Sequence, residues 1–172
     1  MSQLEVCVGC GAVLPAIPDG ATHRYMTSSA ACWEAFNRLS MLEPAGFSPL
    51  AVDAFAVHHP GTASPQATQS VAIHLMVLHG VFERGFAPSQ ALWLRLRPGR
   101  SSQVAKHDRF HWLTPPDLTH GITVSDVIAA ATPLERSALL EAWVREVYAL
   151  WSAVHEAQIA SWFERYVLAE KI

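Results

Sequence analysis

Apolar residues recur every three to four positions along most of this chain, and prolines and glycines cut the pattern into separate runs. "AACWEAFNRLSML" is the first run. Ser28 or Ser29 caps its start, and it stops before Pro44 and Gly46. "SPLAVDAFAVHH" repeats the signal, with Ser48 as cap, Pro49 suited to the first helical position, and Pro60 and Gly61 as the stop. "SPQATQSVAIHLMVLHGVFERG" has Ser64 as cap, Pro65 just inside the start and Gly85 past the end. Because this third run is apolar nearly all round, the pattern predicts that it is the central, buried helix.

"SQALWLRLR" reads as a short fourth helix, although the alternation of Leu92, Leu94 and Leu96 with Trp93, Arg95 and Arg97 also permits a strand. From Pro98 to Gly121 no period is visible, which predicts a long loop. Thr123 with Asp126 opens a short helix in "VSDVIAAA". Thr132, Pro133 and Glu135 then open the longest one, whose apolar stripe runs through Leu140, Trp143, Val147, Trp151, Ile159 and Trp162. Residues 1–27 are different: Gly9, Gly11, Pro15, Pro18 and Gly20 make them turn-rich and too irregular for a helix. The expected fold class is mainly α, a single helical bundle of five to six helices (28–172) with a small cysteine-containing N-terminal knuckle (1–27) packed on it.

Composition narrows the function classes. Over 172 residues, 51% are apolar and only 16% charged, with a mean hydropathy of +0.18, so burial is expected to be extensive. That apolar content fits a homodimer and a larger monomeric core equally well. A net charge of -3 supplies no field for a phosphate backbone, so nucleic acid is not an expected partner. The longest apolar run, Val71 to Val81, is too short to span a bilayer, and the start has no signal-peptide pattern, so a cytoplasmic protein without membrane association is expected.

The cysteines are three, an odd number unlike a secreted disulfide framework. Cys7 and Cys10 stand in CxxCG, where a tight turn lets two thiolates reach one tetrahedral ion and Gly11 allows the backbone to follow. Cys32 falls in the first turn of the first helix, where the helix dipole favours a thiolate. A Cys3His zinc site of Cys7, Cys10, His23 and Cys32 is the preferred reading, because His23 lies on the short loop between the knuckle and Cys32; His58 or His59 are the other candidates. A CxxC redox pair fits less well, since such motifs sit in a βαβ unit and none is predicted.

A second constellation lies in the helices. Gln66, Ser70 and His74 follow one another at helical spacing on one stripe. Asp53 and His59 lie on the second helix, and His155 lies in the apolar stripe of the last. One reading is an interior pocket where His59, His74 and His155 bind a second metal or a substrate, as in a metal-dependent hydrolase or group-transfer enzyme. The other is that each imidazole is a core residue satisfied by a carbonyl or a hydroxyl, which is the commoner case for any single histidine. The aromatic loop "RFHWLTPP" is expected to plug the bundle end rather than to act as a lid. HExxH, GxSxG, Walker and dinucleotide fingerprints are absent, so no reaction is implied, and the partner is either a small ligand or a protein.

CxxCG, "THRYMTSSAACW", "VDAFAVHHPG", "QSVAIHLMVLHG" and "TVSDV" together resemble a bacterial family of uncharacterised proteins catalogued as a domain of unknown function, over about residues 7 to 165. Cys7, Cys10, His23, Cys32, Asp53, His59, Gln69 and His74 fall in the motif segments. The chain departs from the family pattern at His58, where that pattern has Gln, so the resemblance favours His59 over His58 as a ligand. The "HRL" that tends to precede "VDA" in the family is replaced here by "SPL" (Ser48 to Leu50). The resemblance implies no activity.

Overall fold

The computed structural model describes residues 3–42, 49–100 and 110–169, with the side chains of 99 and 100 excepted. Its described residues form six α-helices and one two-stranded antiparallel sheet. The sheet pairs β1 (Leu4–Val6) with β2 (Val13–Pro15), Val6 opposite Val13. The helices are α1 (Ala30–Leu42), α2 (Ala51–His58), α3 (Pro65–Arg84), α4 (Ala91–Arg100), α5 (Val124–Ala129) and α6 (Pro133–Phe163). A 3₁₀ turn, Pro88–Gln90, leads into α4, and a π turn, Glu164–Leu168, closes α6. The mainly helical class expected from the pattern is the one observed.

Local chemistry explains most of the boundaries. Ser29 Oγ accepts the amide of Cys32 at 3.2 Å and so caps α1. Ser64 Oγ accepts from Ala67 N at 3.1 Å, and Gly85, at φ 73°, ends α3 in the left-handed conformation. Thr132 Oγ1 accepts from Glu135 N at 3.2 Å and opens the 31 residues of α6. At the start of α2 the structure differs from the expectation: the helix begins at Ala51, with Leu50 in the cap position and no side-chain cap bond. Pro49 lies in a turn before it, and Ser48, the expected cap, lies outside the described residues. Burial of Leu50 in the core anchors this end instead. The alternation in "LWLRLR" belongs to a helix, with Leu94 buried and Leu92 and Leu96 exposed.

α3 packs against α6, α2 and α4, and α2 also packs on α6. Trp143 and Trp151 of α6 are fully buried, and both spend their indole N–H on the end of α2. Trp151 Nε1 donates to Val57 O at 2.9 Å, and Trp143 Nε1 donates to His58 Nδ1 at 2.9 Å. The last carbonyls of a helix have no partner within it, so the Trp151 bond satisfies one of them, and the two bonds together fix the end of α2 against α6. His58 Nε2 then donates to Leu118 O at 3.0 Å, tying the segment after residue 110 to the same point. In that segment Phe110 sets its ring edge-on against Trp162 and Tyr166, and His111 does so against Trp162, which is the arrangement of a plug.

Candidate metal centre

Three elements bring four ligand atoms to one point. After β1 the chain folds back on itself: Gly11 N donates to Cys7 O, and Cys7 N donates to Ala12 O, both at 2.8 Å. Gly11 has φ +74°, and a Cβ there would run into the carbonyl of Thr119, so both conformation and space require glycine. This knuckle presents the Cys7 and Cys10 thiols. Cys32 presents the third from the first turn of α1, and His59 enters from the end of α2.

The imidazole of His59 is oriented by the protein's own backbone. A carbonyl only accepts, so the 2.9 Å contact between Nδ1 and Phe55 O makes Nδ1 the N–H donor. Nε2 is then the lone-pair nitrogen, and it lies 3.3 Å from Cys32 Sγ. A backbone carbonyl fixing the tautomer and ring plane in this way is the usual outer support of a metal-bound histidine.

Cys10 Sγ and Cys32 Sγ are 3.7 Å apart, and the ligand atoms of Cys7, Cys10, Cys32 and His59 all lie within 4.8 Å of one another. Zinc–sulfur and zinc–nitrogen bonds in a tetrahedron require S···S edges of about 3.8 Å and S···N edges of about 3.6 Å. The four residues are 0–1% exposed. A cleft of about 250 Å³ passes the outside of the knuckle between Gly9, Pro60, Pro115 and Thr119, and none of the four ligands lines it.

Thiols packed this closely cannot all ionise on their own. Hydrogen bonds from Cys10 and Cys32, against the cost of burial, hold the Cys7 thiol far below the usual range. The amide of Ser29 also points at Cys7 Sγ, at 3.4 Å. At Cys10 the hydrogen bond with Cys32 favours the thiolate, but the one with Cys7, burial and the neighbouring Cys7 charge outweigh it and push the thiol up to about 12. Cys32 is pushed up strongly by its hydrogen bonds with Cys10 and Cys7 and by burial. A divalent cation at the centre would remove this conflict by supplying positive charge to all three sulfurs.

Of the expected ligands, Cys7, Cys10 and Cys32 meet, and the fourth residue beside them is His59 in place of His23. His23 packs at a tilt against Trp33, with ring centroids 5.1 Å apart, and its Nδ1 accepts from Tyr25 N at 3.3 Å. The loop before α1 carries it along the outside of that helix, whereas the end of α2 comes to the thiols from the core. His58, its neighbour, is excluded by its bonds to Trp143 and Leu118; burial, and then the neighbouring His59, lower its pKa to about 4.

The expected interior pocket of three histidines does not form. His59 belongs to the cysteine group, and His155 Nε2 donates to Thr114 O at 2.8 Å. His74 meets Asp53, with Nδ1 2.7 Å from Oδ1. Ser70 is half-buried and Gln66 exposed, and neither joins that pair. What the sequence pattern did not reveal is the role of Arg95, which stood there only in the alternation of the "LWLRLR" stretch. It enters the bundle and grips Asp53 with two nitrogens, Nε to Oδ1 at 2.8 Å and Nη2 to Oδ2 at 2.6 Å.

Fold and site together define a mainly helical protein with a buried Cys3His group that could hold a metal ion. The chain belongs to DUF5946, a family of unknown function, whose sequence profile matches residues 5–152. Comparison with curated proteins and with solved structures gives no match. Among the described residues no helix is long and apolar enough to cross a membrane.

Proposed function

We propose that Cys7, Cys10, Cys32 and His59 bind one zinc ion as a structural ligand set, and that the protein is a zinc-stabilised helical binding protein. The observation that carries this reading is the set of four buried ligand atoms within 4.8 Å, with an S···S edge of 3.7 Å close to that of a zinc tetrahedron. Four protein ligands fill the coordination sphere, and a site without an open position holds structure and does not activate water. Three thiolates and an imidazole favour zinc over harder cations such as magnesium or calcium. The free thiols support a reducing, cytoplasmic setting.

The ion's role follows from what it joins. Its ligands come from the N-terminal knuckle, the start of α1 and the end of α2, so zinc fastens the hairpin to the bundle where the chain has little other core to hold it. The separation of His59, His74 and His155 removes the support for a hydrolytic metal site built from those three.

Elemental analysis of protein purified without chelator or affinity metal tests the proposal. One zinc per chain is expected in the wild type, in His23→Ala and in His74→Ala, and loss of it in Cys10→Ser and His59→Ala. Wild-type protein without zinc, or zinc lost with His23→Ala and kept with His59→Ala, would overturn it.

A further inference from the structure

Among the described residues outside the cysteine group, a cluster of ionisable side chains centred on a buried carboxylate joins three helices: Asp53 of α2, His74 of α3 and Arg95 of α4. The Asp53 carboxylate is completely buried, and its oxygens accept hydrogen bonds from His74 Nδ1–H and from two N–H groups of Arg95. Arg95 Nη2 also donates to Pro49 O, so the guanidinium is itself held in place. We infer that this arrangement is a second functional centre, in which Asp53 and Arg95 position His74 so that its Nε2 acts as a nucleophile toward a small activated carbonyl compound.

The contrast with the other histidines carries the inference: the half-buried His23 and His155 also bond through a single ring nitrogen, but to backbone groups and not to a carboxylate. In His58 both ring nitrogens are used, one by Trp143 and one by Leu118. In His79 both are used, by Tyr148 and Arg84. His74 has Nδ1 engaged by a carboxylate and Nε2 without a protein partner among the described residues, and its side chain is 16% exposed. A carboxylate at Nδ1 holds the proton on that nitrogen, places the lone pair on Nε2 and stabilises the imidazolium that forms when Nε2 bonds to carbon.

Stability alone is a weak reason for such a cluster, since a buried ion pair replaced by apolar side chains is often no less stable. Nor does it suit a metal, because His74 is the one metal-ligating nitrogen free there and a guanidinium stands beside its carboxylate partner. The step the geometry serves is acyl transfer. The Nε2 lone pair bonds to the carbonyl carbon, the bond to the leaving oxygen breaks with its electron pair, and the leaving group takes up a proton from water. Water then cleaves the acyl-imidazolium, releasing the acid and a proton and restoring the ring with Nδ1–H on Asp53.

Diethyl pyrocarbonate, a small activated carbonyl reagent that acylates histidine, tests this in the full-length protein at neutral pH, with each histidine followed by peptide mass mapping. His120 is the internal standard, because its side chain is 85% exposed. His74 is expected to react at least five times faster than His120 despite its burial. Asp53→Asn is expected to slow His74 about tenfold or more while leaving His120 unchanged, and ¹⁵N shifts are expected to show the Nδ1–H tautomer of His74 in the wild type. A wild-type His74 that reacts more slowly than His120, in line with its lower exposure, would overturn the inference, and this comparison needs no variant to fold. An unchanged His74 rate in a folded Asp53→Asn protein would overturn the role of Asp53. None of these readings depends on whether zinc is bound at the cysteine group.

Discussion

The imidazole of His59 is placed by contacts on both of its sides. Phe55 O fixes the tautomer, and Gly9 of the knuckle lies flat against the ring, so that a Cβ at Gly9 would come within 2.5 Å of His59 Cδ2 and 3.0 Å of Thr27 O. Neither neighbour is the free end of a flexible chain. Gly9→Ala therefore has to move the knuckle or tilt the ring, and changes of this kind behind a metal ligand typically cost about 10- to 100-fold in affinity. Competition with a chromophoric chelator is expected to show zinc held that much more weakly by Gly9→Ala, and equal affinity would mean that the ring and knuckle adapt freely. Glycine in the second x of CVGC is thus a space requirement imposed by a residue fifty positions later in the chain. The motif contained the glycine, but not the reason for it.

Among the elements, α3 and α6 make the largest contact, and a polar link runs through it. Arg84 Nε–H donates to His79 Nε2 at 3.3 Å, so the proton of the neutral ring sits on Nδ1 and is donated to Tyr148 Oη at 3.0 Å. Arg84 is paired in turn with Glu164, at the start of the π turn. Burial, and then the Arg84 charge, lower the pKa of His79 below its ordinary value of 6.5, with Glu156 and Glu164 opposing. A lowered folded-state pKa means that the unfolded chain binds the proton first. The contribution of His79 is therefore complete above about pH 6.5 and declines as the pH falls from there toward the folded-state pKa. Thermal unfolding followed from pH 7.5 to 5.5 is expected to fall more steeply for the wild type than for His79→Gln, and parallel curves would show that His79 does not titrate differently on folding.

At this scale the sequence was legible where side chains cap the backbone locally. Ser29, Ser64, Gly85 and Thr132 mark ends that hydrogen bonds within a few residues determine. The start of α2 was not legible, because burial of Leu50 against distant elements sets it. The "LWLRLR" stretch stayed open for a related reason. Its Leu residues satisfy both periods, and only the neighbours of Leu94 and the carboxylate waiting for Arg95 select the helix.

For the whole molecule, the cysteine group is the place where the N-terminal hairpin meets the ends of α1 and α2. Beyond it the hairpin is held by contacts such as the bond from Ala31 N to Glu5 Oε1, at 3.3 Å. Binding of structural zinc in small domains is worth on the order of 10 kcal/mol. Stability is expected to fall by several kcal/mol when a strong chelator strips the ion, and at about 2–4 °C per kcal/mol for a chain of this size the midpoint drops by roughly 10–20 °C. Limited proteolysis of the stripped protein is expected to cut first within residues 3–27, while α3 and α6 keep their helical signal. A midpoint that chelation leaves unchanged would show that the hairpin is held without a metal.

The sequence by itself determined the helical class, the caps at Ser29, Ser64, Gly85 and Thr132, and three of the four candidate ligands, because each depends on residues close together in the chain: a 3.6-residue period, a serine before a helix, two cysteines in one turn. Tertiary structure alone decided the choice of His59 over His23, the dispersal of His59, His74 and His155, and the capture of Asp53 by Arg95. Each of these depends on which helix ends and faces come together, and that is set by the packing of distant apolar surfaces around Trp143 and Trp151. Spacing along the chain does not record which distant faces meet.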